Sequence, residues 1–411
     1  MKETMSKYFI FFFVTIVLLC SIAEASMLSV ESAVKSAVAN NPEITAAKNS
    51  LDAAKAKVPQ MIALADPKIG LEYDQIPSGS RNLEDGMKMY TVEQMVMFPG
   101  KIYADYSMAV KTADLNDALY RAKLLEISSQ VKSAYYDLYF IDRSIVTMRE
   151  VGDLFLRIKK SAQAKYAVGA VMQMDVLQAN IEYQLINNEL LTMAQERGIK
   201  EARLKVLLNR SDGSPIEVDQ NFALPETVGS VEVLVGAALE KRPELLAMKA
   251  EYEMKDAAHL KSKMEFFPDT MLGAKKRVGD GWDAMLSFSV PLYFWKQSYN
   301  ISSVGLESEA AEAAYNNMKN MTVWEVKEDF VKADAALRTF SLYKEKIIPQ
   351  SEQALKVALR AYQGGKADFQ ALLLAERMVK EAKLKLYENQ ASYGKALAEL
   401  ERIIGKEVIL K

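Results

Sequence analysis

KIYADYSMAVKTADLNDALYRAKLLEISSQVKSAYYDLYFIDRSIVTMREVGDLFLRIKKSAQAKYAV, residues 101–168, runs for 68 positions with no proline and one glycine, Gly152. As a helix it would be roughly 100 Å long at 1.5 Å per residue, against a usual length of about 11–12 residues. Lys296–Gln363 is a second stretch of 68 residues, interrupted by Pro349, which should kink it because it lacks an N–H to donate. Two helices this long do not fit compact globular domains. They must pack side by side along their length.

Working outward, the chain repeats itself. Asn41-Pro42-Glu43-Ile44 returns as Arg242-Pro243-Glu244-Leu245, 201 positions on. Tyr166-Ala167-Val168-Gly169 returns as Tyr362-Gln363-Gly364-Gly365, 196 positions on. Offsets near 200 predict two diverged copies, about 26–229 and 230–411, rather than a solenoid of short units. Each copy reads as an inbound helix, two strands, a very long helix, a tip and a return helix.

The return helices show how the packing works. Leu372, Ala375, Val379, Ala382, Leu386, Asn389, Tyr393, Ala396, Leu400 and Ile403 alternate steps of three and four, and only Asn389 is polar. The first copy matches with Val176, Ala179, Tyr183, Ile186, Leu190, Met193, Arg197, Lys200, Leu204 and Leu207. A 3.5-residue period makes a coiled-coil seam; the alternative is an ordinary core stripe of period 3.6. Helix lengths suggest stacked pairs: Met172–Asn209 with Pro243–Phe266, and Ala367–Glu401 with Pro42–Ala65. Each pair is then nearly as long as one long helix.

Four segments break the helical period: Lys68–Ile76, Lys88–Phe98, Thr270–Val278 and Ala284–Phe294. They have the ~9–11 residues of a tilted transmembrane strand. Alternation is visible in Ala284, Leu286 and Phe288 against Met285, Ser287 and Ser289, and in Tyr90, Val92 and Val96 against Thr91 and Glu93. Lys88 and Gln94 fall on the apolar face. Tyr73, Tyr103, Trp282, Tyr293 and Trp295 sit near strand ends, as interfacial girdles do. A soluble four-stranded sheet covering helices is the other reading. In lipid, four strands cannot close a barrel and open edges are not tolerated. Copies must therefore pool their strands, twelve in a trimer.

Composition excludes most chemistry. With Lys+Arg 52 and Asp+Glu 54 the net charge is −2, so the chain is no globally basic nucleic-acid binder. One His and one Cys argue against zinc, iron–sulfur, haem and cysteine-nucleophile sites. No nucleophile–base–acid set appears, so no enzyme activity, metal site or cofactor is expected. His259 stands alone on a polar helix. Met87, Met89, Met95 and Met97 share one strand face by parity; soft thioethers suit Cu(I), and plain apolar packing is the competing explanation. Lys2, Lys7, the apolar run Tyr8–Leu19 and Ala23-Glu24-Ala25 form a secretory signal, residues 1–25. Leu19 spoils a lipobox at Cys20, so the mature chain is expected to begin at Ser26. No later segment offers the ~20 apolar residues of a membrane helix.

These pieces together resemble the TolC family of outer-membrane efflux channels over essentially the whole mature chain. The residues that carry the resemblance are the two helix openings, the corner Phe98-Pro99-Gly100-Lys101, Val290-Pro291-Leu292 and the two tips. The corner looks most like the CzcC-type branch tied to heavy-metal efflux. The resemblance implies a mainly α fold with a small β part: a long α-helical coiled-coil barrel plus a transmembrane β-barrel completed by trimerisation, four strands per chain. It also implies an outer-membrane location with a long periplasmic part. The partners implied are two further copies, a periplasmic adaptor, an inner-membrane pump and outer-membrane lipid. A periplasmic coiled-coil scaffold or adaptor is the alternative.

The resemblance further implies that Val168, Gly169, Ala170, Gly364, Gly365 and Lys366 form adaptor-docking tips. Asp175 lies six residues after Gly169, where the family often places an acid near its periplasmic constriction. Its second-copy equivalent is Ala371, and Leu374 stands where a further acid would follow. Asp368, Gln370 and Lys366 are then the polar substitutes. The competing role for Asp175 and Asp368 is capping the return helices near their N-termini.

Overall fold

The computed structural model describes residues 27–405 apart from 212, 221–223, 226–228 and 280. The signal segment and the centre of the Gly279–Gly281 turn lie outside the described residues. The elements are α1 Val30–Asn40, α2 Pro42–Lys57, β1 Lys68–Asp74, β2 Met87–Val96, α3 Pro99–Ala167, α4 Gln173–Leu207, α5 Val231–Lys241 and α6 Pro243–Met264. Then come β3 Asp269–Arg277, β4 Trp282–Ser289, α7 Phe294–Leu342, α8 Ile348–Gln363 and α9 Phe369–Ile404. Among the described residues no helix is long and apolar enough to cross a membrane.

The long helix is α3, at 69 residues. Where the structure departs from the sequence reading, proline chemistry is the usual cause. The first inbound helix ends at Lys57, because Pro59 cannot donate to the preceding turn; a 3-10 turn, Val58–Ile62, follows. Pro349 does not break the second long helix. A single π turn, Tyr343–Ile347, precedes it, and the Ile348 N–H donates to the Tyr343 carbonyl, five residues back. The wider turn lets the proline ring clear the backbone behind it. β4 ends at Ser289, just ahead of Pro291. Helix ends also meet differently from the lengths-based expectation. The Asn209 side chain donates to the Asn40 carbonyl at 3.1 Å, and Arg402 pairs with Glu244. The second return helix therefore ends against the inbound helix of its own copy, and the first ends at the last residue of α1.

The chain forms two compact units, each drawing on both halves of the sequence. One comprises the residues up to Asn40, Gln130–Glu226 and Ala335–Lys395. Its core holds Tyr135, Leu138, Tyr139, Met148 and Phe155, all buried. Tyr139 donates to Gln390 Oε1 at 2.7 Å, and Arg143 lies 4.5 Å over the Tyr387 ring. Gly394 is required here: a Cβ would sit 2.6 Å from the Tyr136 ring. No seam residue in this unit is exposed, and the polar Arg197 has a reason to be in the seam. It donates to Asp142 Oδ1 at 2.6 Å, to Glu201 at 2.6 Å and to the Ile216 carbonyl at 2.9 Å.

The other unit comprises Asn41–Ser129, Thr227–Asp334 and the residues from Ala396 on. It holds the sheet, antiparallel throughout in the order β1-β2-β3-β4. One face carries the rungs Ile69–Val92–Ala274–Ala284, Leu71–Tyr90–Lys276–Trp282 and Gln94–Leu272–Leu286. Most of these large apolar side chains are exposed, including Ile69, Leu71, Val92, Leu272, Leu286 and Phe288. The other face is polar, with ion pairs Lys275–Glu72 at 2.9 Å and Arg277–Asp283 at 2.7 Å. Lys88 and Gln94, two of the polar residues on the apolar face, are accommodated. Lys88 Nζ lies 5.5 Å over the Tyr90 ring, and Gln94 donates to the Ala65 carbonyl at 2.6 Å.

Every residue of the Phe98–Lys101 corner has work to do. Phe98 stacks on Phe267 at 4.4 Å and 7°. Pro99 opens α3 with its φ already set. Gly100 has no room for a Cβ, which would lie 2.8 Å from Met264 Sδ. Lys101 donates to both Asp269 oxygens at 2.9 Å, and Asp269 also accepts from the Phe98 N–H at 2.9 Å. The start of α3 is thereby fastened to the start of β3. His259, in the same unit, packs its ring against Gly305, where a Cβ would sit 2.8 Å from Cε1.

Candidate functional site

Two features stand out for what they expose: the sheet just described, and the paired helical tips. Both tips close with the same backbone device. After α3, the Ala170 N–H donates to the Lys165 carbonyl at 2.8 Å and the Gly169 N–H to Tyr166 at 2.9 Å. After α8, Lys366 donates to Ala361 at 2.8 Å and Gly365 to Tyr362 at 3.2 Å. These are Schellman caps, and the residue at C′ must be left-handed. Gly169 and Gly365 hold φ of 72° and 68°. Nothing lies within 4 Å of a Cβ built on either, so the glycines answer a dihedral need and not a lack of space.

Lys165 joins the two tips. Its Nζ donates to the Tyr362 carbonyl at 3.0 Å and the Gln363 carbonyl at 2.9 Å, and lies 5.0 Å over the Tyr362 ring. A cation on the last carbonyls of α8 is favoured by the helix dipole as well as by the hydrogen bonds. Tyr362 in turn packs edge-on against Phe369 at 5.9 Å. Beneath them lies a core of Met148, Val151, Phe155, Ile158, Ile186 and Leu372. Burial, and secondarily the Asp175 charge, pushes the Tyr362 hydroxyl pKa up.

The expected site residues are found as follows. Val168, Gly169, Ala170, Gly364, Gly365 and Lys366 are all exposed, Val168 at 78 %. Asp368 Oδ1 accepts from the Ala371 N–H at 2.8 Å, so Asp368 caps α9. Asp175 lies in the first turn of α4, where the cap position, Met172, makes no side-chain bond. Gln370 is exposed. Sequence reasoning missed Lys165, Tyr362 and Glu376. Glu376 is 3 % exposed and its Oε1 has no hydrogen-bond partner among the described residues. Burial raises its pKa to about 7; Lys380 and Arg377 pull it down, Glu182 and Glu189 push it up. Its place beside seam positions Leu372 and Val379 was the one available signal.

A family model described as outer membrane efflux protein matches residues 33–210 and 234–406. The chain belongs to the outer membrane efflux protein family. It is similar to the cobalt-zinc-cadmium resistance protein CzcC of Cupriavidus metallidurans, 22 % identical over 394 residues, covering 93 % of this chain and 91 % of that protein. Among solved structures, the outer-membrane channel OprN is 16 % identical with TM-score 0.78, covering 92 % of this chain and 89 % of that one. The outer membrane protein VceC from Vibrio cholerae is 20 % identical with TM-score 0.77, covering 92 % and 96 %. The fold is that of these channels, helical barrel and β domain together, and the protein is an outer-membrane efflux channel. Exposure and alternation make the apolar sheet face the one suited to lipid and the polar face the one suited to a water-filled lumen.

Proposed function

We propose that three copies of this chain assemble into the exit duct of a tripartite efflux system, passing heavy-metal cations from a periplasmic adaptor and an inner-membrane pump to the exterior. The observation that carries the trimer is the sheet. β1 and β4 leave open edges beside an exposed apolar face, and in lipid both edges need a partner strand. Leu177, Ile181, Leu185, Leu191, Ile199 and Val206 add support: they form one exposed apolar stripe along α4, suited to a neighbouring copy. The reading carries no catalytic step. The two halves, about 26–229 and 230–411, act as structural repeats, so a trimer presents six similar tips.

At the tips, Val168, Gly169, Ala170, Gly364, Gly365 and Lys366 receive the adaptor. Their exposure and their identical caps support this. Asp175, Asp368 and Gln370 line the periplasmic constriction in the same reading, with Asp368 also serving as a cap. Carboxylates repeated around a narrow mouth attract cations. The cargo class comes from the resistance protein's name together with this charge. The test is export and cross-linking. Val168→Glu and Ala170→Glu variants should remain trimeric in detergent yet lose adaptor cross-links and metal resistance. Normal resistance with normal cross-links would put the docking surface elsewhere.

A further inference from the structure

The lumen side of the sheet has an unusual composition. Its positions are Lys68, Gly70, Glu72 and Asp74 in β1, and Met87, Met89, Thr91, Glu93 and Met95 in β2. Asp269, Met271, Gly273, Lys275 and Arg277 follow in β3, and Asp283, Met285, Ser287 and Ser289 in β4. Every apolar side chain on this face is a methionine. The opposite face uses Ile, Leu, Val, Ala, Phe, Tyr and Trp, and no methionine at all. Filling space alone would draw on both residue sets for both faces, since Leu and Met are nearly interchangeable in packing.

Three of the five converge. Met95 and Met271 are direct cross-strand partners. Met271 pairs with Ser287, which makes Met285 its diagonal neighbour. Direct pairs bring Cβ atoms within about 4.5–5.5 Å, and diagonal ones stay within reach of long side chains. Met285 leans across onto β3: its methyl lies 3.0 Å from the point where a Cβ on Gly273 would stand. Glu93 Cγ lies 3.6 Å from that same point. The absence of a side chain at Gly273 thus lets the Met285 thioether and the Glu93 chain approach each other over β3. Met95 is 39 % and Met285 36 % exposed, so both reach the solvent of the lumen.

We infer that Met95, Met271 and Met285, with the charge of Glu93 beside them, form a weak binding station for soft monovalent cations of the Cu(I) and Ag(I) type. Thioethers are soft ligands and select such ions over the harder divalent ones. A station in a conduit must bind well enough to admit the ion and weakly enough to release it. Neutral thioethers beside one carboxylate meet that requirement better than thiolates would. The chain has one Cys, at position 20 in the signal segment, and one His, so thiolates and imidazoles compete little for such an ion, and the other methionines among its 21 are common to both proteins in the comparison below. The inference rests on the duct reading for the statement that this face is wet.

The test is equilibrium dialysis of the detergent-solubilised full-chain protein against Ag(I) in chloride-free buffer, with Zn(II) as a parallel probe. The comparison is a Met95→Leu/Met271→Leu/Met285→Leu variant. The native protein should bind one more Ag(I) per chain than the variant, with sulfur scatterers in its X-ray absorption spectrum. Zn(II) binding should be unchanged between them. Should the triple variant fail to assemble, Met285→Leu alone should weaken that Ag(I) site at least tenfold. Equal Ag(I) stoichiometry and affinity in native and variant proteins would overturn the station and leave the methionines as packing. The duct reading fails separately, through loss of conductance in planar bilayers, which this dialysis does not measure.

Discussion

Glu376 is a carboxyl held in a helix seam without a hydrogen-bond partner for one of its oxygens. Its folded pKa of about 7 lies above the roughly 4.3 of an unfolded glutamate. Between those values the folded chain binds more protons than the unfolded one, so stability falls as pH rises through that window. Glu376→Gln removes the ionisation. The variant should gain up to roughly 3 kcal/mol at pH 8 and nothing near pH 4. Thermal melts across that range check it, and parallel native and variant profiles would refute it. The tip glycines make a contrasting case. Gly169→Ala forces an L-residue to φ near 72° with free space around its Cβ. The expected cost is about 1–2 kcal/mol of strain with no clash, readable as a lowered Tm. Val168→Glu, on an exposed side chain, should leave Tm unchanged.

At the scale of elements, the corner and the tip core are where single contacts hold long helices in place. Lys101→Met removes a pair of charge-assisted bonds and leaves Asp269 with only the Phe98 N–H. A loss of about 2 kcal/mol is expected, seen as a lowered midpoint when the β-signal is followed in denaturant. Leu190 packs half-buried against the tip core. Leu190→Ala should cost about 2 kcal/mol, the low end of the range for buried leucines, since part of its side chain already meets solvent. These helices were legible in the sequence because proline is absent over 68 residues and the seam repeats in steps of three and four. The π turn at Tyr343–Ile347 was not legible: a proline shows that one donor is missing, not how the backbone absorbs the loss.

At the scale of the molecule, the proposed assembly rests on the apolar face of the sheet. Leu286→Arg or Phe288→Arg places a charge on the lipid wall at roughly 2–4 kcal/mol near the midplane. Such variants should accumulate as unassembled chains, detectable by native mass analysis of the membrane fraction. A trimer at native yield would refute the assignment of that face. Substitution at Ser287, on the opposite face, should leave assembly intact.

Alternating strands, proline-free helices, a doubled motif order and a signal-like start depend on local chain chemistry, so the sequence by itself determined the fold class and the family. The strand register was legible only as parity. Parity showed that Met87, Met89 and Met95 share a face, but not that Met271 and Met285 come to the same side from 170 positions and more away. Nor could it tell which helix ends meet. Stacked-pair lengths suit either partner, and for the second return helix the choice rests on the contact of Arg402 with Glu244. Lys165, Tyr362 and Glu376 were unreadable for the same reason. A charge on a helix looks solvated in sequence, and only the packing of a second helix decides whether it meets water, a carbonyl or a buried seam.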